Sequence, residues 1–225
     1  MSDKVVLIKD RGFYSGRIRY SGILGIFKRG KVYSQPAAGS SEKMACRVSR
    51  ALEHGSLVHE EIERWIKTGE QRYTDNCTAA FFDFMAKNSL RPYLSEHIVF
   101  NQATKLATSI DAIVIDPSNT LVALEIKTGY DVKTYRDSSH KMKDEFMFMD
   151  DSVYNQHKLQ LLTGTWLLGL SHPRIVIGSF FIVQICHDFT VVPHEVQKDD
   201  KTMTAIARFF GRYSSVTTTI KTQKK

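Results

Sequence analysis

Three charged residues in the middle of the chain, Asp111, Glu125 and Lys127, could together bind a metal ion and act on a phosphodiester. Carboxylate oxygens suit hard cations such as Mg²⁺ and Mn²⁺, which keep several waters and take substrate phosphate oxygens as further ligands. The main-chain carbonyl of Ile126 could add one more ligand. A cation held in this way polarises a phosphodiester and lowers the pKa of a bound water, while the lysine would stabilise charge that develops in the reaction. These residue types therefore indicate metal-dependent phosphodiester hydrolysis.

A β-hairpin is the element that would position these residues. Two apolar runs, 110–116 and 120–127, are rich in Val, Ile, Leu and Ala, and the Pro-Ser-Asn at 117–119 is typical of a turn. The length of this turn sets the pairing of the two strands. A turn one residue longer would put Asp111 and Glu125 on opposite faces.

The pairing expected for a three-residue turn places Asp116 opposite Thr120. Asp111 then lies opposite Glu125, with Cβ atoms about 4.5–5.5 Å apart, and Lys127 faces the same way because side chains alternate along a strand. A hairpin with a charged solvent face is the simpler alternative. The apolar neighbours of Asp111 argue against it, because a buried carboxylate is costly without a metal or a hydrogen-bond partner.

The order of Asp111 and Glu125-Ile126-Lys127 resembles the motif of the PD-(D/E)XK nuclease superfamily. The flanking segments are similar to those of its RecB-like and lambda-type exonuclease branch, which includes mitochondrial genome maintenance exonucleases. These segments, between about Gly55 and Leu168, are HGSLVHEEIERWI, SEHIVF, EIKTG and YNQHKLQLLTGTWLL. The resemblance implies an α/β fold with a central mixed β-sheet flanked by helices, as in restriction endonucleases. It also implies a divalent-metal-dependent DNA exonuclease of DNA replication, recombination or repair.

Three further catalytic candidates follow from this resemblance. His59 takes the position of the family's histidine metal ligand, Glu96 that of a strand glutamate, and Gln160 that of a helix glutamine. A histidine ligand favours Mn²⁺ more than an all-oxygen site would. Each residue also has a structural alternative. His59 could be a structural histidine beside an apolar helix stripe, Glu96 a solvated charge at a strand end, and Gln160 part of a mostly buried helix. The implied metal ligands are His59, Asp111, Glu125 and Ile126.

The chain departs from the family at two points. Gly164 stands where a tyrosine commonly follows the helix glutamine by four positions. Some RecB-like enzymes also bind an iron–sulfur cluster through four cysteines, whereas this chain has three, Cys46, Cys77 and Cys186. Four-thiolate ligation within the chain is therefore impossible. We expect Mg²⁺ or Mn²⁺ as cofactor and no iron–sulfur cluster.

The positive charge of the chain is concentrated near its N-terminus. The full sequence has a net charge of +7, and residues 1–50 contain 11 Lys or Arg against 3 Asp or Glu, a difference of +8. Cations that contact phosphates, next to aromatic rings on which bases stack, are typical of proteins that bind single-stranded nucleic acid. A basic β-rich cap over the core is the structural alternative. The candidate contacts are Arg17, Arg19, Tyr20, Lys28 and Arg29.

A polar stretch of mixed charge follows the strand that carries Lys127. A polar loop as long as 130–151 is unusual in a compact domain and is often a functional flap. Because it leaves the strand end beside the candidate site, we expect it to grip the nucleic acid; the alternative is that its mixed charge serves only solvation. The candidate contacts are Lys133, Tyr135, Arg136, Lys141 and Lys143.

At 225 residues the chain is long enough for one domain with a full core. We expect a basic β-rich N-terminal segment at 1–40, a nuclease core at 41–215 and a frayed basic tail at 216–225. The predicted elements are a β-rich region 4–33, helices 43–67, 76–88, 152–170 and 199–212, a strand 95–101, a hairpin 107–127, and strands 174–185 and 188–193.

The sequence also bears on surroundings and partners. It has no run of about 20 apolar residues, which predicts no membrane span, and no early apolar segment typical of a secretory signal. Three widely spaced cysteines suit a reducing, intracellular setting. The sequence does not distinguish cytoplasm, nucleus or mitochondrion, and a viral or mobile-element origin is open. DNA is the expected partner, and a homo-oligomer is open.

Two other functions remain as alternatives. A metal-dependent endoribonuclease of the cap-snatching type also combines a histidine, acids and a lysine. A nucleic-acid-binding module that has lost catalysis would keep the fold. The Thr-Gly after Lys127 and the glutamine helix favour DNA over RNA.

Overall fold

The computed structural model describes the backbone of residues 6–8, 12–15, 18–33, 42–72, 75–129 and 132–222. Its strands are β1 (Val6–Ile8), β2 (Gly12–Ser15), β3 (Ile18–Gly22), β4 (Arg91–Asn101), β5 (Leu106–Ile115), β6 (Leu121–Thr128), β7 (Ile177–Ile185) and β8 (Val191–Glu195). Its helices are α1 (Ile23–Arg29), α2 (Glu42–Thr68), α3 (Asn76–Lys87), α4 (Val153–Ser171) and α5 (Asp200–Thr222), with a short 3₁₀ helix at Asp144–Phe146.

The strands of the described residues form one eight-stranded mixed sheet. Its order is β1-β2-β3-β5-β6-β7-β8, and β4 pairs along β5 as an additional strand. The pairs β3·β5 and β6·β7 are parallel, and the others are antiparallel. Helices flank this sheet, so the predicted fold class, a central mixed β-sheet flanked by helices, is confirmed.

Two apolar clusters hold the helices to the sheet. One includes side chains of α1, α4 and α5, and the other includes Val58 and Ile62 of α2 together with residues of α3. On β6, Val122, Leu124 and Ile126 belong to the α2–α3 cluster, whereas Ala123 belongs to the α1–α4–α5 cluster. Because side chains alternate along a strand, Glu125 and Lys127 share the side of Ala123.

The predicted β-rich region 4–33 is only partly correct, because residues 23–29 form helix α1. Ile23, Ile26 and Phe27 are buried on one side of this helix, which is the spacing of an amphipathic helix. The run is short and contains Gly25, and an apolar run of that length does not distinguish strand from helix. β3 pairs with β5, and α1 packs in the same apolar cluster as α4 and α5.

Other boundaries also shift. β4 begins at Arg91, four residues before the predicted start, and β7 begins at Ile177 rather than 174. β8 covers Val191–Glu195 rather than 188–193, and α5 continues to Thr222. Residues 223–225 lie outside the described part of the chain. Every helix in the described part is too short or too polar to cross a bilayer.

Candidate active site

The β5–β6 hairpin has the predicted register. Ala112 pairs with Leu124 and Ile115 pairs with Leu121. Asp116 closes the turn, because its Oδ1 accepts a hydrogen bond from Thr120 N (2.8 Å). The turn also needs Asn119 in the left-handed region (φ 64°), which asparagine tolerates better than most residues. The three-residue turn therefore keeps the two strands in the pairing that brings Asp111 to Glu125.

Asp111, Glu125 and Lys127 meet at the end of this hairpin. Lys127 Nζ lies 2.5 Å from Glu125 Oε1 and 3.8 Å from Asp111 Oδ2. Asp111 Oδ2 also accepts a hydrogen bond from Ile126 N (2.8 Å). Glu125 is 1% exposed and Asp111 is 7% exposed. When all three side chains are ionised, two carboxylates and one ammonium leave a net negative charge in a poorly hydrated place, which favours a further cation.

The pKa of Glu125 reflects this net negative charge. Burial, and then the neighbouring charge of Asp111, raise the pKa of Glu125 from 4.5 to about 8, although Lys127 opposes the rise. At neutral pH the metal-free site therefore tends to hold a proton on Glu125. Strongly raised carboxyl pKa values are typical of functional sites, where they accompany buried acids with a specific charged neighbour.

His59 reaches the same site from helix α2. Its Nδ1 lies 3.1 Å from Glu96 Oε1, and its Nε2 lies 3.1 Å from the carbonyl oxygen of Ile126 and 3.9 Å from Asp111 Oδ2. Burial alone would lower the pKa of His59, but the charge of Asp111 and the hydrogen bond to Glu96 raise it to about 9. At neutral pH the metal-free imidazole is therefore protonated and donates to both oxygen partners.

Two backbone features allow this approach. A Cβ added to Gly55, four residues before His59, would lie 3.4 Å from Thr128 Oγ1, so a small residue lets α2 lie close to the end of β6. Glu96 adopts φ 42° within β4. A left-handed glutamate costs about 1–3 kcal/mol and is found mostly where the surroundings require it, as at active sites.

Three side chains converge as a group that could hold a metal ion. One ligand atom from each of His59, Glu96 and Asp111 lies within 4.8 Å of the other two. The predicted ligand set contained Glu125 and the carbonyl of Ile126 instead of Glu96. In the structure Glu125 forms an ion pair with Lys127, and the Ile126 carbonyl accepts from His59.

Helix α4 contributes a residue that the sequence did not reveal. Gln160 is half-buried on α4, and no described contact joins it to the charged groups of the site. His157, one turn earlier, is partly buried, and its pKa lies well below the usual value because of desolvation and then the charge of Lys127. Its Nδ1 lies 2.6 Å from Tyr135 Oη. The three-residue spacing of His157 and Gln160 on one helix face was the available signal.

Two of the predicted nucleic-acid contacts are wrong for base stacking. Tyr20 is 2% exposed and packs edge-on against Phe100 at 5.6 Å between ring centroids. Tyr135 is 1% exposed and is held by His157. Neither ring offers a free face to a base, because both fill space beneath the surface. Arg17 lies outside the described residues.

The other predicted contacts are exposed, namely Arg19, Lys28, Arg29, Lys133, Arg136, Lys141 and Lys143. Lys141 pairs with Asp150 (2.7 Å), and the Arg136 guanidinium lies 3.9 Å from the centroid of the Tyr154 ring. The described part of the 130–151 loop is anchored to the core through Tyr135, Met142, Phe146 and Met149. These positions pack in the core because the loop carries apolar residues between its charged ones, and its contact with nucleic acid stays a prediction.

Comparisons with known proteins find similar solved structures but no related sequence family. No protein-family model matches it, and no curated protein matches it. A crystal structure of SSO0001 is 16% identical, with a TM-score of 0.37, and the match covers 62% of this chain and 57% of that protein. A structure from Eubacterium rectale, described as a "putative exonuclease", is 11% identical, with a TM-score of 0.41, and the match covers 86% of this chain and 74% of that protein.

Proposed function

We propose that this protein is a divalent-metal-dependent nuclease that hydrolyses phosphodiester bonds of DNA from an end. One observation carries the proposal: Lys127 lies beside both buried acids, Asp111 and Glu125, while His59 and Glu96 approach Asp111 from α2 and β4. A buried cluster of charges costs stability, so its presence indicates a functional site. Phosphodiester hydrolysis uses an acid pair, a cation and a lysine together.

The residues fit a hard divalent cation. The donor group of His59, Glu96 and Asp111 offers one imidazole nitrogen and two carboxylates within 4.8 Å. Oxygen donors suit Mg²⁺ and Mn²⁺, and the imidazole favours Mn²⁺ of the two. When bound, such a cation polarises the phosphodiester and lowers the pKa of a water. Glu125 and the carbonyl of Ile126 adjoin this group and would complete it.

The chain's own residues have separate tasks in this proposal. Lys127 holds Glu125 in place and presents an ammonium that can stabilise charge on the phosphoryl oxygens. Glu96 orients the imidazole of His59 through Nδ1, which leaves Nε2 directed to Asp111 and Ile126. A carboxylate on the far nitrogen of a ligand histidine fixes the orientation and the protonated nitrogen of the ring, so Glu96 acts through His59 as well as through its own oxygens.

DNA is proposed as the substrate because of charge and motif. The net charge of +7 suits a polyanion, and the exposed Arg19, Lys28 and Arg29 supply cations near the N-terminus. The resemblance of the segments around His59, Glu96 and Lys127 to RecB-like exonucleases favours digestion from an end and a role in DNA replication, recombination or repair.

A panel of substrates tests the proposal. End-labelled linear single-stranded DNA, linear duplex DNA, closed circular DNA and RNA are incubated with the full chain in Mn²⁺, Mg²⁺ or EDTA. We expect linear DNA to be shortened progressively in Mn²⁺ or Mg²⁺, and circular DNA to survive. Cleavage of circles would replace the exonuclease by an endonuclease. Internal cleavage of RNA with DNA intact would favour the endoribonuclease, and binding without cleavage would indicate an inactive module.

A further inference from the structure

A second group of metal-ligating side chains lies where α2 meets α3, outside the candidate active site. One ligand atom from each of His54, Asp75 and Cys77 lies within 4.8 Å of the other two. His54 belongs to α2, Asp75 is the N-cap of α3, and Cys77 lies in the first turn of α3. The three donors therefore come from two helices rather than from one local motif.

We propose that His54, Asp75 and Cys77 form a zinc site that joins α2 to α3, with a water as the fourth ligand. Imidazole nitrogen, carboxylate oxygen and cysteine sulfur are the three donor types that Zn²⁺ takes in proteins. Asp75 and a Cys77 thiolate would balance the charge of the ion. The thiol proton passes to solvent when the sulfur binds the metal.

The distances are close to those of a tetrahedral site. Zinc ligands at 2.0–2.3 Å from the ion lie about 3.3–3.8 Å from one another. His54 Nε2 now lies 2.9 Å from Asp75 Oδ2, so this pair must open by less than about 1 Å to admit the ion. Side-chain rotation alone supplies changes of this size, because His54 and Asp75 are partly exposed.

Helix capping does not account for the whole group. Capping uses only Asp75 Oδ1, which accepts from Cys77 N at 2.7 Å. Oδ2 faces His54, and the Cys77 thiol also hydrogen-bonds to the Asp75 carboxylate, so this one carboxylate contacts both other donors. The packing of α2 on α3 is fixed independently by Trp65, whose ring lies 4.8 Å from that of Phe82. The donors therefore lie on two helices that pack against each other through other residues.

The zinc site is separate from the candidate active site. His54 and His59 lie on the same helix, about 7.5 Å apart along its axis and about 140° apart around it. They share no ligand, and the active-site group of His59, Glu96 and Asp111 contains no sulfur. The two sites can therefore be distinguished by a signal that only sulfur produces.

Cobalt(II) provides this signal, because a thiolate bound to Co²⁺ produces a charge-transfer absorption that nitrogen and oxygen ligands do not. The full chain, stripped with EDTA, is titrated with Co²⁺ and then with Zn²⁺. We expect the sulfur charge-transfer band to reach its full intensity at one equivalent of Co²⁺ and to disappear when Zn²⁺ is added. The band should be absent in Cys77→Ser and retained in Cys186→Ser, which changes another buried free cysteine outside the group.

Asp75→Asn guards against a folding artefact, because asparagine caps helices as well as aspartate does. This variant should keep its helix content and bind Zn²⁺ at least about tenfold more weakly. Absence of the sulfur band in the wild type, or its persistence in Cys77→Ser, would overturn the zinc site. Neither readout uses nuclease activity, so a failure of the zinc proposal would leave the proposed function untouched.

Discussion

The imidazole of His59 on α2 hydrogen-bonds to the main-chain carbonyl of Ile126 on β6, at 3.1 Å and across 67 positions of sequence. The same ring contacts Glu96 through its other nitrogen. The hydrogen bond to Ile126 joins a helix on one side of the sheet to β6, at the residue just before Lys127. The acids, the lysine and the histidine are held by four elements, α2, β4, β5 and β6, so their arrangement is a property of the whole fold.

Replacing Lys127 by glutamine should remove cleavage and retain DNA binding. We expect the rate constant for cleavage to fall by at least about 100-fold, because a single preorganised charge contributes that much to transition-state stabilisation. Affinity should persist, because phosphate contacts elsewhere dominate binding. Lys87→Gln, an exposed lysine at the end of α3, is the matched control and should behave as wild type. If Lys127→Gln cleaves DNA at the wild-type rate, Lys127 has no role in the mechanism.

Mn²⁺ binding should strengthen as pH rises towards 9. The pKa of His59 is raised to about 9 in the metal-free protein, and a histidine must lose its proton before its nitrogen can bind a metal. Isothermal titration in two buffers with different ionisation heats measures the proton released per Mn²⁺. His59→Ala should release fewer protons per Mn²⁺ and lose part of the affinity, whereas His140→Ala, on the exposed loop, should change neither. Equal release in both variants would exclude His59 as a ligand.

The stability of the metal-free protein should depend on Glu125 and on pH. Its pKa is raised from 4.5 to about 8, so the folded state binds this proton more tightly than the unfolded chain does. The stabilisation is complete below about pH 4.5 and is lost as pH rises through about 8. Glu125→Gln should therefore gain stability relative to wild type as pH increases over this range. Thermal melts in EDTA measure the difference, and a constant difference would contradict the raised pKa.

Glu96 should support metal binding at a cost to stability. Glu96→Ala removes the partner of His59, and we expect Mn²⁺ affinity to fall about 10–100-fold. Glu96→Gly should lose the same affinity but fold more stably than Glu96→Ala, because glycine adopts the positive φ of this position without strain. Titration and chemical denaturation of the two variants separate the effects. If alanine and glycine are equally stable, the backbone at this position is not strained.

The basic residues of α1 should contribute to the salt dependence of DNA binding. Removing the N-terminal segment is a poor test, because Ile23 and Phe27 are buried in the core. The double variant Lys28→Gln and Arg29→Gln changes two exposed cations instead. If both contact phosphates, the slope of log affinity against log salt should decrease by about 1.4–1.8. An unchanged slope would mean that Lys28 and Arg29 do not contact the DNA phosphates.

Local patterns in the sequence were sufficient for much of the fold. The hairpin register followed from the Pro-Ser-Asn turn, because a three-residue loop fixes the pairing of Ala112 with Leu124. Helix α2 followed from its apolar stripe. Helix α1 was missed, because Ile23, Ile26 and Phe27 form too short a run to show a period.

Contacts between distant elements were harder to foresee. The burial of Tyr20 and Tyr135 depends on packing against residues far along the chain, Phe100 and His157. The turn of Glu96 towards His59 depends on a left-handed backbone that no local signal indicated. For the same reason His157 escaped notice, since its position near Lys127 exists only after α4 packs on the sheet.

The central claim is that Asp111, Glu125 and Lys127 hold a cation against the sugar–phosphate backbone and cleave it. The most direct test follows the release of nucleotides from end-labelled DNA in Mn²⁺ by the wild type and by Asp111→Asn. The two proteins are purified in parallel, and circular dichroism checks that both are folded. We predict progressive release by the wild type, stopped by EDTA, and none by Asp111→Asn. Equal, EDTA-resistant release by both proteins would contradict the proposed site.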